Sequence, residues 1–225
     1  MTVNMFDQFE SPELCNIPLM VIAMFTPMML LRHSNRLIPN RWATLQTHLL
    51  LLMAKHLMTP INKPGHVWTL PLVTVQYYLL LINLLGLLPY TFTPTTQLAL
   101  NLGLALPLWL ATVLIGLRNQ PSHALAHMLP AGTPSFLIPI LIIIETISVL
   151  IRPVALAVRL TANLTAGHML ITLVSTATMT TLSTPIVALM AFMLLCLLTV
   201  LEIAVAIIQA YVFTLLLSLY LQENT

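Results

Sequence analysis

A few polar residues lie within two long apolar segments near the end of the chain, and their types are suited to moving protons. They are Glu145, Arg152, Arg159, Asn163 and His168 in the first segment, and Glu202 and Gln209 in the second. Carboxyl and imidazole groups bind and release protons, whereas a guanidinium keeps its proton and its charge. A fixed cation with titratable groups on either side predicts two proton routes that an electrostatic barrier keeps apart.

Arg159 is the central candidate because it lies in the otherwise apolar segment 136–174. An unpaired arginine in hydrocarbon costs about 3 kcal/mol or more, so its presence indicates a function and a partner. Glu145, Arg152 and Arg159 are spaced by seven residues, or two helical turns, and therefore share one face. Asn163 extends that face by one turn. Arg152 is the secondary candidate, since its role could be confined to holding Glu145.

Each of these residues has a structural explanation when it is taken alone. An intramembrane Glu and Arg can simply pair, and a single His in a helix is more often structural than functional. Asn163 and Gln209 can join helices through hydrogen bonds worth about 0.6 kcal/mol each. The joint pattern of one fixed cation and displaced titratable groups on two helices favours a function in proton transfer.

The two apolar segments are predicted to form a helical hairpin that is steeply tilted in the membrane. Segment 136–174 has 39 residues and segment 186–221 has 36. At the rise of an α-helix these lengths correspond to about 58 and 54 Å. Both exceed the bilayer core of about 30 Å, so neither helix fits upright. The Ser/Thr-rich stretch 172–184 is the expected turn between them.

The position of this turn predicts which residues of the two arms face each other. Residues whose numbers sum to about 369 should lie opposite, which places Gln209 near Arg159 and Glu202 near His168. His168 follows Arg159 by about 13 Å along the helix, and Glu145 precedes it by about 21 Å. Titratable groups are therefore expected on both sides of the fixed cation.

Composition places the chain in the membrane and excludes a soluble domain. Of its residues, 59% are hydrophobic and 6% are charged, with a mean hydropathy of +0.97, whereas soluble domains are about 25% charged. The predicted fold class is an all-α polytopic membrane protein, with residues 1–225 in a single membrane domain. Segments 16–31, 67–90 and 98–117 are predicted to be roughly upright spans, and 41–58 an amphipathic helix lying flat in the interface.

The basic residues outside the spans predict the orientation of the chain. One side of the membrane receives all of them: Arg32, Arg36, Arg41, Lys55, Lys63 and Arg118. By the positive-inside rule that side is the cytoplasm or the mitochondrial matrix, and the C-terminus shares it. The acidic start, with Glu10 and Glu13, faces the other side and lacks the basic residues of a transit peptide. Cys15 and Cys196 suggest no disulfide or metal site, and no cofactor is expected.

Two runs of sequence resemble a known family. The first run, residues 156–168, resembles the signature of subunit a of the F-type ATP synthase. It reads Leu-Ala-Val-Arg-Leu-Thr-Ala-Asn-Leu-Thr-Ala-Gly-His. The second run, residues 201–213, resembles the last helix of the same subunit. It reads Leu-Glu-Ile-Ala-Val-Ala-Ile-Ile-Gln-Ala-Tyr-Val-Phe. The resemblance extends over the whole chain and is greatest to the mitochondrial form of animals, although the first 60 residues match only in pattern.

The resemblance implies a stator subunit whose two half-channels carry protons to and from the carboxylates of a rotating ring of c subunits. Arg159 would face a ring carboxylate. His168 and Glu202 would belong to the route from the intermembrane space, and Glu145 to the exit on the matrix side. The resemblance also implies the mitochondrial inner membrane, peripheral-stalk and other membrane-sector partners, lipid contacts and no catalysis by the subunit itself. It implies no nucleic-acid partner.

Two other classes of membrane protein are the alternatives. An ion-coupled secondary transporter usually has repeated halves and helices broken near the midplane, but the chain shows no repeated half and its last apolar segment contains no internal Gly or Pro. Another respiratory-chain membrane subunit that binds haem would need paired histidines within facing spans. The sequence places one histidine, His168, well inside a span.

Overall fold

The computed structural model describes residues 9–14, 17–30, 40–61, 63–88, 91–119, 121 and 138–224, and these are almost entirely helical. A short antiparallel pair of strands, β1 (Glu13–Leu14) and β2 (Ile17–Pro18), precedes the first helix. The helices of the described residues are α1 (Leu19–Leu30), α2 (Arg41–Met58), α3 (Thr69–Gly86), α4 (Leu98–Asn119), α5 (Ile138–Thr180) and α6 (Pro185–Asn224). Short 3₁₀ turns lie at Lys63–Trp68, Pro94–Thr96 and Thr181–Ser183.

Helices α5 and α6 form the expected hairpin, and both are longer than the sequence predicted. They contain 43 and 40 residues, or about 64 and 60 Å at the rise of an α-helix. The predicted start of the first arm, residues 136 and 137, lies outside the described residues. The connection between the arms is the single 3₁₀ turn Thr181–Ser183 and Thr184.

The expectation that the whole stretch 172–184 forms the turn was wrong. The helix continues to Thr180, and within it the Ser and Thr hydroxyls donate to carbonyls one turn earlier, so that they are satisfied without ending the helix. The hydroxyls of Thr172 and Thr176 donate to the carbonyls of Met169 and Leu173, at 2.9 and 2.8 Å. A Ser/Thr-rich segment can therefore remain helical until a proline, here Pro185, begins the next helix.

The remaining helices differ in how well their lengths suit a membrane crossing. In the described part of the chain, α3, α4, α5 and α6 are long and apolar enough to cross. Helix α1 has 12 described residues, about 18 Å, and the predicted span ends 16 and 31 lie outside the described residues. So do residues 89 and 90 at the end of the second predicted span. The number of upright spans stays a prediction.

Helix α2 occupies the segment that was predicted to lie in the membrane interface. Asn40 caps its first turn by accepting a hydrogen bond from the backbone N–H of Arg41 at 2.9 Å. The apolar face of this helix was predicted to include Trp42 and Leu45, which are 64% and 55% exposed, so these two side chains are not buried against the described part of the chain. The last turn, by contrast, buries Leu57 in the core. This arrangement leaves an apolar surface available to lipid.

The core lies where α3 and α4 pack against the hairpin. The buried stripe of α6 repeats every three or four residues, as expected for one helical face: Ala206, Ala210, Phe213, Leu217 and Leu221. The matching stripe of α5 is Leu156, Ala157, Leu160 and Leu164. The alanines on both arms permit close packing of the helices. Arg159 and Asn163 lie outside this stripe and are exposed.

Buried amides join the helices at two points. The side-chain amide of Asn101 in α4 is completely buried and donates to the carbonyl of Thr95 at 2.7 Å and to the hydroxyl of Thr161 in α5 at 2.8 Å. The amide of Asn83 in α3 donates to the carbonyl of Ala206 in α6 at 3.4 Å. Asn101 therefore links α4 to α5, and Asn83 links α3 to the helix that carries Glu202.

Replacing Asn101 with Ala should destabilise the protein, because it removes two hydrogen bonds and leaves a buried carbonyl unpaired. The expected loss is about 1–3 kcal/mol, which would appear as a lower Tm of the purified protein in detergent. Thr161→Val is the matched control, since it keeps the bond from Asn101 to Thr95 and removes the bond from Asn101 to Thr161 and the local bond from Thr161 to the carbonyl of Ala157; it should lower Tm by less. Equal Tm values for Asn101→Ala and the unmodified protein would contradict this role.

Candidate functional site

Glu202 and His168 meet between the two arms of the hairpin. Glu202 belongs to the buried stripe of α6 and is 3% exposed. Its Oε1 lies 3.7 Å from Nε2 of His168 in α5, so the pairing that the register predicted is confirmed. The distance is longer than a hydrogen bond but short enough for an ion pair when the imidazole is protonated. Among the described residues, neither carboxylate oxygen has a hydrogen-bond donor.

Gly167 provides the space for this carboxylate. A Cβ atom at Gly167 would lie 2.8 Å from Oε1 and 3.2 Å from Cδ of Glu202, closer than carbon and oxygen atoms pack. A side chain at this position would therefore require the carboxylate of Glu202 to shift. Gly167 thus leaves open the space that this carboxylate occupies.

A cavity of about 840 Å³ adjoins the Glu202–His168 pair. Its polar lining includes Glu10 from the N-terminal segment and the hydroxyl residues Thr91, Thr93 and Thr199. The end of α3 and the connection to α4 supply much of the remaining wall. The cavity therefore joins the buried carboxylate to the end of the molecule where the N-terminal segment lies.

Arg159 lies on the exposed face of α5, away from the core. It shares a cleft with Gln209 and apolar residues of both arms, as the register predicted. Among the described residues, no carboxylate lies within ion-pair distance of its guanidinium. Because an arginine in hydrocarbon requires an anionic or aqueous partner, this face is suited to a carboxylate of another protein.

Asn163 lies between Arg159 and the buried carboxylate. It lines a small cavity of about 60 Å³ together with Gly167 and Glu202, and it follows Arg159 by one helical turn on the exposed face. A polar amide here can donate and accept hydrogen bonds. Asn163 therefore lies on the exposed face and lines the same small cavity as Glu202.

Arg152 holds two carboxylates at the open end of the hairpin. Its guanidinium contacts Glu145 at 3.4 Å in α5 and Glu223 at 3.2 Å in α6, and it lies 5.5 Å from the ring centroid of Tyr220. The contact with Glu145 was expected, whereas Glu223 was missed. A signal existed, because the numbers of Glu145 and Glu223 also sum to about 369.

Comparison with known proteins identifies the family of this chain. Residues 14–222 match the sequence model of the family described as ATP synthase A chain. The chain belongs to this family. Among its relatives named ATP synthase F(0) complex subunit a, those of Struthio camelus and Latimeria chalumnae are 62% and 60% identical over 226 residues, which cover 100% of each chain. That of Gadus morhua is 57% identical with the same coverage.

Membership of the ATP synthase A chain family confirms the resemblance that the sequence predicted. It supports a subunit of the ATP synthase membrane sector, and not a secondary transporter or another respiratory-chain subunit. All seven residues singled out from the sequence lie within the matched segment. Glu10 and Glu223, which the sequence reasoning missed as site residues, lie just outside it. These two residues are therefore identified by the structure rather than by the family pattern.

Replacing Gly167 with Ala should lower proton transport several-fold, because the added methyl group displaces Glu202 from His168. ATP-driven proton pumping by the assembled complex measures the effect. Gly103→Ala is the matched control, since a Cβ there meets no atom within 4 Å and pumping should be unchanged. Normal pumping by the Gly167→Ala complex would show that the place of the carboxylate is not critical.

Proposed function

We propose that this chain is the proton-translocating stator subunit of the membrane sector of an F-type ATP synthase. It provides two half-channels that protonate and deprotonate the carboxylates of a rotating ring of c subunits. The observation that carries the proposal is the separation of an exposed fixed cation, Arg159, from the buried Glu202–His168 pair. Proton flow through such a subunit turns the ring and so drives ATP synthesis, while catalysis takes place in other subunits.

The cavity beside Glu202 and His168 is the inlet half-channel. Protons enter it from the side of the N-terminal segment, where Glu10 lies. Glu202 has no donor among the described residues, so it can accept a proton, and the nearby imidazole can pass one on. Asn163 then lies in the direction of the ring-facing surface. The proton reaches a ring carboxylate, which becomes neutral and can move through lipid.

Arg159 separates the inlet from the exit. Its charge stabilises the ionised form of a ring carboxylate that arrives from the exit side. Since the guanidinium does not lose its proton, it also repels a proton that would otherwise cross directly between the half-channels. Gln209 lines the same cleft and can orient the guanidinium. Protons therefore cross only when the ring turns.

Glu145 belongs to the exit half-channel, about 21 Å from Arg159 along α5. Arg152, two turns closer to Arg159, holds this carboxylate at 3.4 Å. The exit then opens on the side of the basic residues, among them Arg41, Lys55 and Arg118. By the positive-inside rule this side is the matrix of the mitochondrion.

The partners and the location follow from the same assignment. The chain is a multi-pass protein of the mitochondrial inner membrane, with its N-terminus toward the intermembrane space and its C-terminus toward the matrix. The ring of c subunits covers the face with Arg159. Peripheral-stalk subunits, other membrane-sector subunits and lipid cover other apolar surface, including the first half of α6. Residues there are more than half exposed, for example Ile186, Leu189, Met190, Met193 and Leu197.

Replacing Arg159 with Lys should abolish proton-driven ATP synthesis. Lysine supplies a single point charge and can lose its proton in an apolar environment, so the barrier between half-channels would fail. Synthesis in inverted membrane vesicles, normalised to the amount of assembled complex, measures the effect. Arg152→Gln is the control and should be much milder. Equal loss in the two variants would mean that the barrier was assigned to the wrong arginine.

Exchanging His168 and Glu202 tests whether they form one proton relay. Each single variant, His168→Glu or Glu202→His, should lose most of the ATP-driven proton pumping. The double exchange keeps both groups in the same cavity and should restore part of it, since coupled residues have non-additive effects. If each single variant pumps normally per assembled complex, the pair is a packing contact and the inlet lies elsewhere.

A further inference from the structure

We propose that Glu10 sets the charge at the mouth of the inlet. Its carboxylate draws protons into the cavity and so raises the rate at which they reach Glu202 and His168. The inference rests on the proposed function, in which this cavity is the inlet half-channel. It gives the N-terminal segment a part in proton delivery through the negative charge of Glu10, without a step in which Glu10 itself holds the proton.

Glu10 and Glu202 mark the two ends of the cavity. Both residues line it, but Glu10 is exposed to solvent, whereas Glu202 is 3% exposed. The cavity therefore extends from the surface to the buried pair. Among the described residues, neither carboxylate oxygen of Glu202 has a hydrogen-bond donor. The buried end of the cavity thus presents an open acceptor to a proton that enters at the other end.

The charged groups around the cavity leave its mouth negative. The titratable residues that line it are Glu10, His168 and Glu202, and none of the described lining residues is a lysine or an arginine. In the part of the chain that the structure describes, Glu10 also makes no ion pair. Its charge is therefore not neutralised by a neighbouring cation of this chain.

The backbone around Glu10 is tied to the start of α1. Strands β1 and β2 pair Glu13 with Pro18, and the backbone N–H of Leu19 donates to the carbonyl of Pro12 at 3.0 Å. Pro12 and Leu19 line the same cavity as Glu10. The turn that leads into α1 is therefore a part of the cavity wall and holds Glu10 at its edge.

The apolar part of the wall strengthens the effect of a charge at the mouth. This part includes Phe9, Leu88, Phe92 and Ile171. Walls of low dielectric constant focus the field of a nearby charge and raise the local concentration of ions of the opposite sign. Because free protons are scarce at neutral pH, their arrival at the buried pair is the step that the charge of Glu10 accelerates.

The test is proton-driven ATP synthesis by the complex in liposomes, with the inlet facing the lumen and the lumenal pH varied at constant total driving force. Glu10→Gln should raise the proton concentration for half-maximal synthesis roughly three-fold, the effect of one charge a few ångströms from the path. The maximal rate should not change, since Glu202 and His168 remain. Glu10→Lys reverses the charge and should raise the half-maximal concentration roughly ten-fold. An unchanged half-maximal concentration in both variants would overturn the inference, as would a loss of maximal rate alone.

Salt in the lumen provides a second measurement. The distance over which a charge acts falls from about 30 Å at 0.01 M salt to about 8 Å at 0.15 M. The difference between the unmodified and Glu10→Gln complexes should therefore shrink as salt increases. A difference of the same size at both salt concentrations would mean that Glu10 acts through packing and not through its charge, contrary to the inference.

Glu13→Gln is the matched control. It removes the same charge three positions away, from an exposed residue that is not among those lining the cavity. The field of Glu13 passes through water and is weakened by it, so the half-maximal proton concentration should change much less than with Glu10→Gln. Equal shifts in the two variants would assign the effect to general surface charge and would overturn the role of Glu10.

Glu202→Gln in the same assay separates this inference from the function on which it rests. It removes the acceptor at the buried end and should lower the maximal rate. If Glu202→Gln loses synthesis while both Glu10 variants match the unmodified complex, the proposed function stands and only the role of Glu10 fails. Normal synthesis with Glu202→Gln would mean that the inlet lies elsewhere, and both proposals about this cavity would fail together.

Discussion

The cost of placing charge in hydrocarbon governs the arrangement of this molecule. A charged side chain there requires a counter-charge, a cavity or the membrane boundary. Arg152 has two carboxylates, and Glu202 has a histidine and a large cavity. Arg159 has no carboxylate within ion-pair distance among the described residues, which is why we propose that a partner supplies its counter-charge. Within its described part, the hairpin therefore pairs Arg152 and Glu202 but leaves Arg159 on its exposed face.

The helical hairpin and its register could be predicted because both follow from helix geometry. An apolar segment longer than the bilayer is thick must tilt, and two straight helices with a short turn have one alignment. That alignment correctly placed Glu202 beside His168 and Gln209 beside Arg159. Composition was sufficient for the fold class, since so few charged residues leave no soluble alternative.

Features that depend on several separate segments could not be predicted in the same way. The cavity beside Glu202 needs the end of α3 and the N-terminal segment, whose relative positions leave no periodic pattern in the sequence. Asn101 likewise joins α4 to two other segments, through hydrogen bonds to Thr95 and to Thr161 of α5. Glu223 lies in a short polar tail, where a carboxylate usually has no partner. The length of α5 was underestimated because the weak helix propensity of Ser and Thr is overridden by the tertiary context of a long helix.

The contacts of Arg152 also have a mechanical consequence. A four-residue connection joins the arms at one end, and Arg152 joins α5 to Glu223 at the other. Two helices that are joined at both ends have one preferred alignment, although a partly exposed ion pair adds only about 0–1 kcal/mol to it. A slip of one helical turn, about 5.4 Å, would separate Glu202 from His168. The alignment that brings Glu202 to His168 therefore depends on the contacts at both ends of the hairpin.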